Sequence, residues 1–474
     1  VLGLVVSYEL MHLLLGLISS DLMLTMPYLR NLGFNADTLA YVSGLAVLAT
    51  LLVSFAPVMR TRFTRLGDAL AEGGRGFAGT MWRRFGSNLV AVELAIAMVL
   101  LVGAGLLSQS LYRLLHVDLG FQPDHLLTLQ VVAPDAASTG DPQKIALVRR
   151  LESGLGALPG VRSVGVTSML PVTNNGNTAW IRVVGRPYHG EHNEVNARTV
   201  SAGFFPTLRA QLLRGRFFSD SEDLARPRVL MINQAFARKY FPGEDPVGRR
   251  IGDSALSPDS ITEIVGVVDD IRESTLDSDV WPTAYFPYNQ NADSSTALLV
   301  RTAQDGDSQL AALISAIHRL DPSLGVYNQA SMGERIADSQ TASLHRSSAW
   351  LAAGFALVAL LLSVIGLYGI IAYSVGQRTR EIGVRMALGA QRSSVCALIL
   401  KEACRLTGTG LVLGVLASLL TGMFLEKLLF AIRPWDIVTL VSVAVVLAFC
   451  ALLASYIPAR RAAGVDPLVA LRYE

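Results

Sequence analysis

The chain has 474 residues, of which 51% are apolar and only 16% charged, with a net charge of +2. Soluble domains carry about 25% charged residues, so the balance excludes an ordinary soluble enzyme and points to a membrane protein. The three cysteines, Cys396, Cys404 and Cys450, lie in or beside apolar runs near the C-terminal end, so the polar middle is no disulfide scaffold.

A spanning helix needs about 20 largely apolar residues. In chain order the predicted spans are residues 1–18, 38–58, 88–107, 347–374, 406–425 and 437–457. The first is weakened by Glu9 and His12, and the third contains Glu93. An ionisable group within a span is a functional candidate by default. Glu93 stands about one turn from an Arg-rich end, so snorkelling or pairing with a neighbouring helix is the expected explanation. The chain opens with Val1 inside an apolar run, and the expectation is a C-terminal fragment of a longer protein.

Arginine placement orients these spans. Arg60, Arg62, Arg65, Arg75, Arg83 and Arg84 follow the second, Arg378, Arg380, Arg385 and Arg392 the fourth, and Arg460, Arg461 and Arg472 the sixth. The positive-inside rule makes these segments cytoplasmic, which leaves residues 117–341 outside. Gly74, Gly76 and Gly79 fit the G-x-G-x-x-G pattern, but they follow a span and a run of arginines rather than a strand. They read as a cytoplasmic linker, and no cofactor is expected. Pro57 and Pro458 each close a span and are each followed by an Ala-Leu pair whose leucine stands thirteen residues on, an offset of 401. Self-similarity at a fixed offset predicts duplication. Residues 1–80 are then the end of a first copy of the repeated unit. Residues 81–116 carry the first span of a second copy, 117–341 its extracytoplasmic domain and 342–474 its last three spans.

Within that domain, residues 125–132, 161–167, 180–184, 228–232, 261–268 and 297–301 read as strands, and 142–157 and 309–320 as helices. Strand–helix–strand patterns near both ends predict a layered α/β (α+β) unit. The expected fold class is an α-helical membrane protein of six spans with this domain inserted. Residues 331–375 lack proline and read as one continuous helix, which projects beyond the bilayer as a stalk. His189, Glu191 and His192 have no further spaced ligands, so no metal site is expected. No G-x-x-x-x-G-K-[ST] motif or G-x-S-x-G elbow occurs, so neither P-loop ATP hydrolysis nor another catalytic activity is expected. No nucleic-acid partner is expected.

Between the fourth and fifth spans runs Gln377-Arg378-Thr379-Arg380-Glu381-Ile382-Gly383-Val384-Arg385-Met386-Ala387-Leu388-Gly389-Ala390. Ile382, Met386 and Gly389 fall on one helical face at i, i+4, i+7. A short amphipathic helix tied to two spans can push on them if a partner grips it. The residues alone equally allow a plain positive-inside anchor.

This stretch resembles the cytoplasmic segment R-T-x-E-I-G-x-R-x-A-x-G-A of the MacB/FtsX permease family. Residues 233–248, the tail 458–472 and the link at Leu70–Gly74 add to the likeness, which is nearest to acidobacterial duplicated orphan permeases. The resemblance implies a permease of the bacterial inner (plasma) membrane, driven by a separate ABC ATPase. Nucleotide-driven closure would move the cytoplasmic segment, and the spans would relay that motion outward. Arg378, Arg380, Glu381, Ile382, Gly383, Arg385, Met386 and Gly389 would be the ATPase-coupling residues, with Gly383 and Gly389 permitting close approach of the partner. Further implied partners are membrane lipid, a periplasmic adaptor or effector, and the other permease half or a second copy. Export or efflux is the expected outcome. The alternative is a signalling scaffold that activates an extracytoplasmic enzyme and transports nothing.

Overall fold

The computed structural model describes residues 77–133, 141–173, 176–293, 296–304, 307–388 and 390–464, together with Glu9 and residues 36–37, 39–48 and 50–51. The chain divides into two compact units, Val1–Tyr112 with His345–Glu474, and Arg113–Leu344.

The chain reaches the second unit through helix α1 (Phe77–Leu115). Strand β1 (Leu126–Val132) then lies between β10 (Thr296–Thr302) and β11 (Gly325–Ser331), antiparallel to both, and β10 pairs in turn with β2 (Val161–Thr167). Helices α2 (Asp141–Gly156) and α5 (Asp307–Leu320) cover this sheet. Leu147, Leu151 and Leu155 recur every four residues on α2, while Leu127, Leu129 and Val131 alternate along β1. These two periodicities bring one helical stripe onto one strand face. Leu313 and Ile317 of α5 complete the buried layer.

Beyond β2 the sheet closes on itself. Six strands pair in a ring: β4 (Glu194–Val200), β3 (Thr178–Val183), β7 (Arg250–Asp253), β8 (Thr262–Val268), β6 (Val229–Asn233) and β9 (Thr283–Pro287), the last returning to β4. Closure removes the unpaired edges an open sheet would leave. Short helix α3 (Phe204–Leu208) packs on β2, and β5 (Leu212–Gly215) pairs with β8. The ring interior holds Ile181, Val195, Leu230, Ile232, Ile251, Ile264 and Ala284. Helix α4 (Gln234–Tyr240) adds Phe236 and Tyr240 to that cluster. Asn233 fixes its start, since its Oδ1 accepts from the N–H of Phe236 at 3.0 Å and of Thr283 at 2.9 Å.

The continuous helix expected over residues 331–375 is broken. Ser331 ends β11 and starts helix α6 (Met332–Ala337) through a reciprocal cap. Its hydroxyl accepts from the Glu334 N–H at 3.2 Å, and the Glu334 carboxylate accepts from the Ser331 N–H at 2.9 Å. Asp338 leaves helical geometry (φ −97°, ψ 4°). The Ser339 hydroxyl then accepts from the Ala342 N–H, and helix α7 (Gln340–Gln377) begins. Stop and start signals of this kind end a helix without proline.

In the first unit, α1 packs with α7, α9 (Arg392–Leu425) and α10 (Ile437–Ala462). These are the four described helices long and apolar enough to cross a membrane. The six-span expectation therefore stands at four among the described residues. Leu39–Leu48 is a shorter apolar helix within the expected second span, and residues 1–18 lie outside the described residues except Glu9. The repeat positions Pro57, Ala69, Leu70, Ala470 and Leu471 also lie outside them.

Glycine sets how closely α1 and α9 approach. A Cβ on Gly410 would stand 2.7 Å from Leu94 Cβ, and one on Gly414 2.6 Å from Met98 Cβ. Without a hydrophobic drive between helices in lipid, such close packing is a main source of association. Glu93 turns from α1 toward α7. A Cβ on Gly366 would meet its Oε2 at 2.5 Å, and the Ser363 hydroxyl donates to the Glu93 carbonyl at 3.3 Å. The carboxylate therefore packs against a neighbouring helix at a glycine.

Candidate functional site: the short helix between two spans

The motif segment folds as α8 (Thr379–Ala387). Arg378 breaks the run from α7, with φ −106° and ψ 11°. The Thr379 hydroxyl donates to the carbonyls of Val375 (3.1 Å) and Gly376 (3.0 Å), which satisfies acceptors at the end of α7. The Arg378 guanidinium pairs with Glu402 of α9 at 3.3 Å. At its far end, Ala390 N–H donates to the Arg385 carbonyl at 2.9 Å, and extended Gln391 starts α9. One corner is thus tied to the helix before it and the helix after it.

The helix has two faces. Ile382 is 5% exposed and belongs to the apolar core with Leu367 and Ile371 of α7, Val395, Ile399 and Ala403 of α9, and Ala459 of α10. Met386 packs against the same cluster, and Gly383 is buried beside Ile382. Glu381, Val384, Arg385 and Leu388 recur at i, i+3, i+4, i+7 on the other face. Val384 is 41% exposed and Leu388 83%. Glu381 and Arg385 pair along the helix at 2.5 Å with both side chains half exposed, a pair that adds a few tenths of a kcal/mol, roughly 0.2–0.5.

Of the eight residues singled out by sequence, Ile382 and Met386 hold the helix to its own bundle, and Gly383 is buried. Glu381 and Arg385 face outward, and Arg378 braces the corner. The Arg380 side chain and Gly389 lie outside the described residues. Sequence reasoning gave Gly383 a place against a partner, and in this chain it is buried next to Ile382. It missed Val384 and Leu388, whose three-to-four-residue spacing from Glu381 and Arg385 was the available signal. Arg461 also meets the Tyr368 hydroxyl at 3.3 Å, joining the end of α10 to α7.

Residues 89–318 match the MacB-like periplasmic core domain, and residues 353–467 match the FtsX-like permease C-terminal domain. The chain is 29% identical over 327 residues to the macrolide export ATP-binding/permease protein MacB of Marinobacter nauticus, covering 65% of this chain and 47% of that protein. It is 27% identical over 372 residues to the ABC transporter permease YknZ of Bacillus subtilis, covering 74% and 86%. It is 27% identical over 333 residues to the pyoverdine export ATP-binding/permease protein PvdT of Pseudomonas aeruginosa, covering 67% and 46%. The chain thus spans about half the length of these MacB and PvdT relatives. Among solved structures, the periplasmic region of MacB from Actinobacillus actinomycetemcomitans matches at 16% identity and a TM-score of 0.30, covering 44% of this chain and 90% of that one. The extracellular domain of YknZ matches at 18% and 0.27, covering 42% and 100%. The chain belongs to the MacB/FtsX-type ABC transporter permeases, multi-pass proteins of the bacterial inner membrane that carry a periplasmic domain.

Proposed function

We propose that the chain relays ATPase-driven motion across the inner membrane in support of export, with α8 as the surface gripped by a separate ABC ATPase. The observation that carries this reading is the outward face Glu381–Val384–Arg385–Leu388, which ends in a leucine 83% exposed on a helix whose other face is locked into the bundle. A plain charge anchor needs no apolar outward residue. Force on α8 enters α7 through Thr379 and α9 through the Arg378–Glu402 pair. From α7 the chain leads through α6 into β11, and α1 leads into β1, the strand paired with β11. The two connections thus end on adjacent strands, so a shift of one against the other acts directly on the β1–β11 ladder. Residues 1–80 as the end of a first permease copy, and a second half or second copy packed against this one, belong to the same proposal, as does a periplasmic adaptor or effector.

Leu388→Arg tests the reading. The substitution adds positive charge, so a topology anchor is left intact or strengthened, whereas an apolar docking contact is lost. In the chain reconstituted with its co-purified ATPase, stimulation of ATP hydrolysis is expected to fall about tenfold, a loss of about 1.4 kcal/mol of coupling, with membrane insertion unchanged. Undiminished stimulation would refute docking through this face.

A further inference from the structure

The six-stranded ring of the periplasmic domain has two unlike ends. At one, α4 follows β6 and adds Phe236 and Tyr240 to the interior. The other opens into a cavity of about 420 Å³, within the size range of small-ligand sites.

Register decides what faces this mouth. Alternate residues of a strand share a face. Leu230, Ile251 and Ile264 point into the ring, so Arg228, Asp253 and Thr262, each two residues nearer the mouth, stand on the same side. Ala179 stands likewise beyond Ile181, and Ala197 and Thr199 beyond Val195. The two alanines leave room, while Ile181, Ile251 and Phe286 give the cavity an apolar floor.

The rim is built from fixed polar groups. Asn291 Nδ2 donates to Thr199 Oγ1 at 3.3 Å. The fully buried Arg198 guanidinium donates to the carbonyls of Gly176 (2.8 Å) and Asn177 (3.1 Å), which holds Asn177 at the mouth. Asp253 is committed to its own turn, where its Oδ1 accepts from the N–H groups of Ala255 (3.1 Å) and Ser257 (2.9 Å). Arg228 differs from all of these. It is exposed at the mouth, and its guanidinium has no hydrogen bond or ion pair with the described residues. Arginine is the side chain best shaped to take a carboxylate through two parallel N–H bonds. Asp253 and Asp293 outnumber Arg228 in the lining, which disfavours a polyanion and leaves direct pairing with Arg228 as the means of holding one carboxylate.

We infer that the mouth of the ring binds an amphipathic carboxylate, its apolar body on Ile181, Ile251 and Phe286 and its carboxylate on Arg228. Two sources share this chemistry, the C-terminal end of an apolar peptide and a medium-chain fatty acid. Equilibrium dialysis of the full chain in lipid nanodiscs separates them, with N-acetyl-leucyl-leucine, its C-terminal amide and octanoate as probes and empty nanodiscs subtracted. Binding of at least one acid is expected below about 1 mM. The matching amide, and the acid on Arg228→Gln, should bind about tenfold more weakly. Arg228→Lys should restore part of the loss, and Arg226→Gln, exposed two residues away, should bind as the parent does. Octanoate binding that depends on Arg228 identifies a fatty acid, and peptide binding with octanoate silent identifies a chain end. Equal binding of acid and amide overturns the inference, as does undiminished binding by Arg228→Gln or no binding of either acid.

Discussion

At the scale of single residues, Glu152 on α2 holds its charge at a cost. Its Oε1 is shut off from solvent without a hydrogen-bond partner among the described residues. Burial pushes its pKa up to about 7, with Asp220 adding to the rise and Ser201 and Arg149 opposing it. The folded pKa thus lies above the unfolded value of 4.5. Between these values the folded chain keeps a proton that the unfolded chain has released. The stabilising contribution is therefore complete below about pH 4.5 and is lost as pH rises through about 7. Raising the pH from 5 to 8 should cost the parent roughly 2–3 kcal/mol relative to Glu152→Gln, which stays neutral throughout. Thermal unfolding of both proteins in nanodiscs at the two pH values checks this. The same pH dependence in both would remove Glu152 as its source.

Arg198 makes the opposite case, a buried charge with its partner in place. Its Nε meets Glu273 Oε2 at 3.2 Å, and Tyr285 donates to the other carboxylate oxygen at 2.9 Å. Burial raises the Glu273 pKa while Arg198 pulls it down. Arg198→Met leaves that carboxylate buried and uncompensated, so a loss of about 3–5 kcal/mol is expected. Adding Glu273→Leu should recover part of it. A double variant no more stable than the single one would contradict the pairing.

Among the elements, the seam between α1 and α9 is the most sharply specified. Gly414 faces Met98 and the Ala95 backbone, leaving no space for a side chain. Gly414→Leu should therefore push the helices apart and destabilise the membrane unit by about 1–3 kcal/mol. Gly408→Leu, on the same helix with open space around it, is the control. Melting of the two variants in nanodiscs should separate them by several degrees.

Element boundaries show what the sequence made legible. Every predicted strand has a counterpart, because alternation in runs such as Leu126–Val132 is a local signal. The short strands β5 and β7 have four residues each and leave too little pattern to read. The break at Asp338–Ser339 was not legible because it is made by polar residues, Asp338 leaving helical geometry and the Ser339 hydroxyl capping the next helix, with no proline to mark it. In α8 the inward stripe of Ile382 and Met386 was legible from periodicity. The burial of Gly383 was not, since glycine adds nothing to an apolar pattern.

At the scale of the whole molecule, ring closure was beyond the sequence. It depends on β9 pairing with both β4 and β6, contacts across about ninety and about fifty residues of chain, and no local pattern encodes which strands meet. The β1–β11 pairing is of the same kind. It joins the strand after α1 to the strand before α6 and α7, so the proposed relay has a defined point of entry into the periplasmic domain. Hydrogen exchange over Gly325–Ala337, with the co-purified ATPase empty and then trapped with ATP and vanadate, tests that relay most directly. Exchange in this segment should change on trapping in the parent chain and stay constant in Leu388→Arg; identical exchange in the two nucleotide states of the parent would contradict transmission through α8.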